Sequence, residues 1–186
     1  MANHDVLFAL WFFIPVGIAN STPIIAAHLP VLRAWSAPLD FHKQFRGKRL
    51  LGDHKTIRGV IIGVLMGVIA IWLQSQLFHD YAWVRHVSSP VSYQSNTVLL
   101  LGALLGLGAL LGDATESFFK RQFNIDDGRS WFPFDQLDFV IGGVLLSAIY
   151  VRLPAADYGF ILLIWFGMHL LFSYIGFLLK LKERAL

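Results

Sequence analysis

Long apolar runs alternate with shorter polar segments along the chain, and most runs have the length of helices rather than strands. The pattern predicts five helices, over about residues 6–32, 57–78, 98–111, 139–151 and 158–179. The third run is short, but the sequence after it contains no proline up to Phe123, so this helix is expected to continue into polar sequence. Because a helix needs roughly 20 residues to cross a bilayer, we predict an all-α integral membrane fold with five transmembrane helices.

The composition supports a single membrane domain covering residues 1–186. Hydrophobic residues make up 56% of the chain and charged residues only 15%, well below the roughly one quarter that is usual in soluble domains. The sequence has no cysteine, which excludes disulfides and zinc-thiolate sites. It carries no motif for binding nucleic acid, so the excess of basic residues is better explained by the placement of loops in a membrane protein.

The basic residues also predict the orientation. Thirteen of the fifteen lysines and arginines lie in residues 33–58, in residues 112–138 and in the C-terminal tail, whereas only Arg85 and Arg152 lie in the other connections. Basic loops remain in the cytoplasm. We therefore expect a multi-pass protein of the inner or plasma membrane with its N-terminus outside and its C-terminus in the cytoplasm. Two cytoplasmic loops would form one polar site.

Polar residues concentrate where the predicted helices meet this cytoplasmic side. Asp113, Glu116, Ser117 and Lys120 follow one another at i, i+3, i+4 and i+7, which places them on one helix face. Asp135 and Asp138 are three residues apart at the start of the fourth helix and share a face too. Lys55-Thr56 begins the second helix, where exposed N–H groups favour an anion such as phosphate. Asn20 lies in the cytoplasmic half of the first helix, either in a packing hydrogen bond or in a polar pocket.

These residue types indicate chemistry on phosphates. Carboxylates without cysteine or clustered histidine favour magnesium-like ions, which proteins hold with one or two carboxylates and substrate phosphates. Neighbouring lysine and arginine side chains bind phosphate oxygens. The pattern therefore predicts phosphoryl or nucleotidyl transfer. Local pairing with Lys120 is an alternative for Glu116, worth roughly 0.3–0.5 kcal/mol, and placement at a helix N-terminus is an alternative for one of Asp135 and Asp138.

The same residues resemble the CDP-archaeol synthase family of membrane CTP-transferases and, more distantly, CDP-diacylglycerol synthase (phosphatidate cytidylyltransferase). The matching elements are Asn20 with Pro23, Gly52, Lys55-Thr56, Arg58-Gly59, Gly112-Asp113, Glu116-Ser117, Lys120-Arg121 and the run from Phe134 to Phe139. Differences from the diacylglycerol enzymes at Asp126-Asp127 and at residues 131–134 favour the archaeol branch. The resemblance covers nearly the whole chain.

The resemblance implies a reaction in which a lipid phosphate attacks the α-phosphorus of CTP in the membrane and pyrophosphate leaves. It implies that Mg²⁺ is bound by Asp113, Asp135 and Asp138, with a second metal ion left open. Catalytic roles would fall on these three aspartates and on Lys120. Substrate binding would fall on Asn20, Lys55, Thr56, Glu116, Ser117, Arg121 and Asp127.

Three alternatives differ in substrate or in class. The enzyme could act on a diacyl lipid as a phosphatidate cytidylyltransferase. A CDP-alcohol phosphotransferase also clusters aspartates at a membrane surface, but its final pair has a spacing that Asp135 and Asp138 do not match. A small ion-coupled transporter would place its charges near the bilayer midplane and show related halves, neither of which the sequence indicates.

Overall fold

The structure, a computed structural model, describes residues 2–95, 97–126 and 129–180. Its elements in chain order are α1 (Ala2–His28), α2 (Pro30–Arg33), β1 (Gln44–Phe45), β2 (Lys48–Arg49), α3 (Ile57–Asp80), α4 (Ala82–Ser88), α5 (Val98–Gln122), α6 (Phe134–Tyr150) and α7 (Ala155–Leu178). Within the described residues, α1, α3, α5 and α7 have the length and apolar composition required to cross a membrane. The protein is therefore a multi-pass helical membrane protein. Helix α6, with 17 residues, is shorter than these four, so the fifth span stays a prediction.

Helix α1 occupies the centre of the bundle and contacts α3, α5, α6 and α7. Its aromatic side chains Phe8, Phe12 and Phe13 are fully buried in the main hydrophobic core. The indole Nε1 of Trp165 donates a hydrogen bond to the Ala9 carbonyl at 3.0 Å and ties α7 to α1. Because so much of its surface is buried, α1 packs mainly against protein rather than against lipid.

Glycines bring α5 close to its two neighbours. A Cβ at Gly67 of α3 would lie 2.8 Å from the carbonyl oxygen of Gly102, and the same holds in reverse. On the other side of α5, Gly108 and Gly142 stand backbone to backbone between α5 and α6. Small residues allow membrane helices to approach in this way. Gly67, Gly102, Gly108 and Gly142 therefore serve close helix packing, and α5 is held between two close partners.

Several predicted boundaries need correction. The first helix ends at His28 rather than near residue 32, because Leu29 precedes Pro30 and adopts an extended conformation before the short helix α2. The connection 79–97 contains a further helix, α4. Helix α6 begins at Phe134, five residues earlier than predicted, so Asp135 and Asp138 belong to its first turns.

The all-α prediction is confirmed for the bundle, and the polar segment before α3 adds a small hairpin that the sequence did not predict. Strands β1 and β2 pair antiparallel around the two-residue turn Arg46-Gly47, both of which have positive φ angles. Such turns match the twist of the strands they connect. The Nζ of Lys48 donates to the Gln122 carbonyl at 2.6 Å, and the rings of Phe45 and Phe118 lie 6.0 Å apart. The hairpin is therefore docked on the end of α5.

Asp40 organises this segment from within. Its buried carboxylate accepts hydrogen bonds from the Arg49 side chain, at 3.1 and 2.9 Å, and from the backbone N–H groups of His42, Leu51 and Gly52. Burial by itself would raise the pKa of Asp40, but the Arg49 guanidinium and these backbone donors hold it well below its usual range. The carboxylate is thus an ionised centre around which the loop closes.

We expect Asp40→Ala to open residues 38–56, because it removes the acceptor of three backbone N–H groups and of two of the three side-chain hydrogen bonds of Arg49, a loss of about 3 kcal/mol. Hydrogen–deuterium exchange of these amides should accelerate at neutral pH. The matched control is Asp53→Ala: Asp53 also lies 2.9 Å from Arg49, but its side chain is 73% exposed. Equal acceleration in both variants would contradict the buried role.

The contribution of Asp40 to stability depends on pH. Because folding lowers the pKa of Asp40, its stabilisation is complete above about pH 4, the ordinary aspartate value. It is lost as the pH falls through the pKa of the folded state.

Candidate active site

Three elements deliver polar residues to one end of the bundle. Thr56 caps α3, and its hydroxyl oxygen accepts a hydrogen bond from the Gly59 N–H at 3.1 Å. Lys55 immediately precedes this cap. Helix α5 contributes the polar face predicted from its sequence, and α6 enters after Pro133 with its two aspartates in the first turns. The close contact between α5 and α6 places these two polar faces opposite each other.

Three carboxylates form the centre of this site. Oxygen atoms of Asp113, Glu116 and Asp138 all lie within 4.8 Å of one another, with Glu116 buried and the other two half-buried. Carboxylates this close repel one another unless cations lie among them. The donor set consists of hard oxygen ligands, so it fits a divalent cation such as Mg²⁺. Asp113 and Asp138 of the predicted metal set belong to this cluster, whereas the metal role of Asp135 stays a prediction.

Two lysines neutralise the same cluster. The Nζ of Lys55 lies 2.6 Å from Asp113 Oδ2. The Nζ of Lys120 lies 2.9 Å from Glu116 Oε1 and 2.9 Å from Asp135 Oδ1, which includes the i,i+4 pair anticipated from the sequence. The other oxygen of Asp135 accepts the Trp131 N–H at 3.0 Å. Asp135 is therefore engaged by Lys120 and the backbone, and its carboxyl group is also a hydrogen-bond neighbour of Glu116.

Two polar cavities adjoin at Lys55 and Asp113. The first, of about 510 Å³, is lined among others by Asn20, Lys55, Thr56 and Asp113. The second, of about 220 Å³, is lined by Leu51, His54, Lys55, Asp113, Glu116, Ser117, Lys120, Arg121, Asp135 and Asp138. The structure thus brings together ten of the eleven predicted site residues. The remaining one, Asp127, lies outside the described residues.

An apolar groove of about 700 Å³ meets the second cavity from the other side. It runs between α5 and α6 and is lined mainly by aliphatic and aromatic side chains, including Leu111, Phe119 and Leu145. Glu116 and Asp138 line both this groove and the second polar cavity. An apolar ligand in the groove would therefore have its polar end beside the carboxylates.

Known proteins resemble this chain over most of its length. The family model described as CarS-like, CDP-archaeol synthase, matches residues 3–185. The chain belongs to the CDP-archaeol synthase family. Relatives named CDP-archaeol synthase include one from Thermofilum pendens, 36% identical over 96% of this chain and 80% of the relative, and one from Methanopyrus kandleri, 38% identical over 94% and 90%. These findings confirm the resemblance drawn from the motifs.

A solved structure also aligns with this CDP-archaeol synthase family member. It is described as "Structural insight into an intramembrane enzyme for archaeal membrane lipids biosynthesis". The TM-score is 0.70 with 28% sequence identity, and the alignment covers 89% of this chain and 92% of the other. The fold is therefore shared with an enzyme that works within a membrane.

Sequence reasoning gave no role to two residues that the structure places at the site. His54 lines both polar cavities. Arg58 lines the first cavity with its side chain buried, and its Nη1 donates to the Leu32 carbonyl at 2.7 Å. The available signals were the position of His54 directly before Lys55-Thr56 and the Arg58-Gly59 element of the family resemblance. A search for polar helix faces does not include His54, because His54 belongs to the loop before α3.

Proposed function

We propose that this protein transfers the cytidylyl group of CTP to a lipid phosphate and produces a CDP-activated lipid of the CDP-archaeol type with release of pyrophosphate. The observation that carries this proposal is the meeting of the second polar cavity and the apolar groove at Glu116 and Asp138, with the first polar cavity adjoining at Lys55 and Asp113. A reaction between a polar nucleotide and a membrane lipid needs such a junction. An ion-coupled transporter does not.

The nucleotide fits the polar side. The first cavity has a volume within the usual range of small-molecule sites, about 300–1,000 Å³, and its lining includes Asn20, Lys55 and Thr56. The triphosphate would extend from there into the second cavity, where Ser117, Lys120 and Arg121 offer a hydroxyl and two cations. Lysine and arginine side chains are the usual partners of phosphate oxygens.

Asp113, Glu116 and Asp138 would hold Mg²⁺, and Asp135 would hold Lys120 in place for the phosphates. A bound Mg²⁺ would neutralise charge on the phosphates and on the departing pyrophosphate. In the reaction, an oxygen of the lipid phosphate forms a bond to the α-phosphorus of CTP while the bond to the β-phosphate oxygen breaks. The protein's contribution is to bind and orient the two phosphates and to place Lys120 and Arg121 where negative charge moves onto the leaving group.

The lipid chains would occupy the apolar groove between α5 and α6. This placement needs the polar site at the membrane surface, which is the cytoplasmic surface if the basic loops face the cytoplasm. We propose that α6 is the fifth span, since 17 helical residues extend about 26 Å, close to the roughly 30 Å of a bilayer core. The N-terminus would then lie outside, and residues 1–186 would form one membrane-embedded cytidylyltransferase domain.

Purified protein in lipid nanodiscs, incubated with radiolabelled CTP, tests this proposal. With an isoprenoid-ether lipid phosphate and Mg²⁺ we expect a labelled CDP-lipid and one pyrophosphate per product. Chelation by EDTA should stop the reaction, because the carboxylate cluster then lacks its cation, and added Mg²⁺ should restore it.

Parallel reactions separate the alternatives. Product from phosphatidate alone would identify the diacyl enzyme instead. Release of CMP from a CDP-lipid and an alcohol would identify a CDP-alcohol phosphotransferase. No CDP-lipid from either lipid phosphate would refute the proposed function.

A further inference from the structure

Lys55 occupies an unusual position for a residue expected to bind phosphate. Its ammonium lies 2.6 Å from Asp113, one of the three carboxylates that could hold a metal ion, and the side chain lines both polar cavities. We propose, on the basis of the proposed function, that the Lys55 ammonium neutralises this cluster when no metal ion is bound. When the ammonium instead binds the phosphate oxygens of a nucleoside triphosphate, Asp113 becomes available to a metal ion. The site would thus favour a metal–nucleotide complex over free metal.

The charges of the cluster lead to this exchange. Asp113, Glu116 and Asp138 would all attract a divalent cation, but the ammonium groups of Lys55 and Lys120 already compensate two of them. A free ion entering beside Asp113 meets the positive charge of Lys55 at close range and must compete with it for the carboxylate. Triphosphate oxygens offer Lys55 another strong partner. The phosphates draw Lys55 away from Asp113, which lowers the free energy of metal binding. The metal in turn replaces Lys55 at Asp113, which lowers the free energy of nucleotide binding.

Lys55 is better placed for this exchange than Lys120. Lys120 makes two ion pairs, to Glu116 and Asp135, and its side chain is only 12% exposed. Lys55 makes a single ion pair among the described residues, is 24% exposed, and precedes the first turn of α3. The helix N-terminus adds a field that favours the phosphate as its new partner. A flexible four-carbon side chain between two cavities can reach either one.

By linkage, binding of the metal and of the nucleotide should assist each other, typically by about 5- to 150-fold. Mn²⁺ reports the metal step by itself, because its free ion gives an electron paramagnetic resonance signal that disappears on binding. In the absence of nucleotide and lipid, we expect Lys55→Met to bind Mn²⁺ at least about tenfold more tightly than the unmodified protein. Lys55→Arg, which keeps the charge, should remain weak.

The control is Lys43→Met, which removes an exposed lysine of the hairpin segment that lines neither polar cavity. Its Mn²⁺ affinity should equal that of the unmodified protein. If Lys55→Met does not fold, Lys55→Gln removes the same charge and should also bind Mn²⁺ more tightly. Unchanged or weaker binding in the charge-removing variant, or no Mn²⁺ binding by any of these proteins, overturns the inference. This measurement involves no transfer reaction, so it is decided separately from the proposed function.

Discussion

Asp138→Asn is expected to lower the rate of CDP-lipid formation by about a thousandfold or more, because a missing charge-stabilising ligand costs several kcal/mol and each 1.36 kcal/mol is a factor of ten. Asp138 is the residue of α6 that faces both Asp113 and Glu116 and also lines the apolar groove. Its carboxylate therefore stands where the nucleotide and the lipid would meet. Asparagine has nearly the same shape, so the helix bundle should keep its thermal unfolding midpoint.

Two comparisons sharpen this prediction. Asp126→Asn removes an exposed carboxylate, and because Asp126 lines none of the three cavities, this variant should retain full activity. Asp135→Asn weakens the support of Lys120 but leaves the three central carboxylates, so its loss should be smaller than that of Asp138→Asn. Initial rates at saturating CTP and Mg²⁺ provide the test. Equal losses of activity in Asp135→Asn and Asp138→Asn would favour the metal set expected from the sequence. If Asp138→Asn kept more than a tenth of the activity, Asp138 would not be a metal ligand.

Gly142→Val should separate α5 from α6 and remove stability and activity together. A Cβ at Gly142 would meet the Gly108 carbonyl and, at 3.0 Å, the Cα of Gly112. Backbone atoms cannot move aside as a flexible side chain can, so the helices must part. Overpacking of this kind costs about 3 kcal/mol, which corresponds to a fall of roughly 10 °C in the unfolding midpoint of a chain this long. Activity should fall as well, because α6 carries Asp135 and Asp138.

Gly167→Val on α7 is the matched control. Among the described residues, a Cβ at Gly167 meets no atom within 4 Å, so the same substitution only adds surface facing outward. Thermal unfolding in detergent, followed by tryptophan fluorescence, compares the two variants directly. Equal destabilisation would show that valine in a membrane helix, rather than the α5–α6 contact, causes the effect.

Local pattern was enough to locate most of the candidate site. The face shared by Asp113, Glu116, Ser117 and Lys120 follows from the 3.6-residue period of a helix, and these four residues do line one cavity. Lys55-Thr56 was recognisable because helix starts have their own residue preferences, and Thr56 does cap α3. Such signals act over a few residues, so they can be read along one chain.

The hairpin could not be predicted from local sequence patterns. Residues 38–56 are polar and rich in basic residues, which fits an ordinary loop as well as a folded one. Their fold depends on one buried carboxylate, Asp40, that collects Arg49 and three backbone N–H groups from positions up to twelve residues away. Sequence spacing alone does not indicate which of several aspartates becomes buried.

By itself, the sequence determined the membrane character, the main helices, the polar face of α5, the Lys55-Thr56 cap and the family, because each rests on composition, periodicity or a short motif. Only the tertiary structure decided that Glu116 lies close to both Asp113 and Asp138, that Lys55 reaches Asp113 across 58 positions, and that an apolar groove ends at two of these carboxylates. The physical reason is distance: helices α3, α5 and α6 are brought together by glycine contacts and core packing. The atoms that side chains such as Lys120 finally reach depend on that packing rather than on any spacing along the chain.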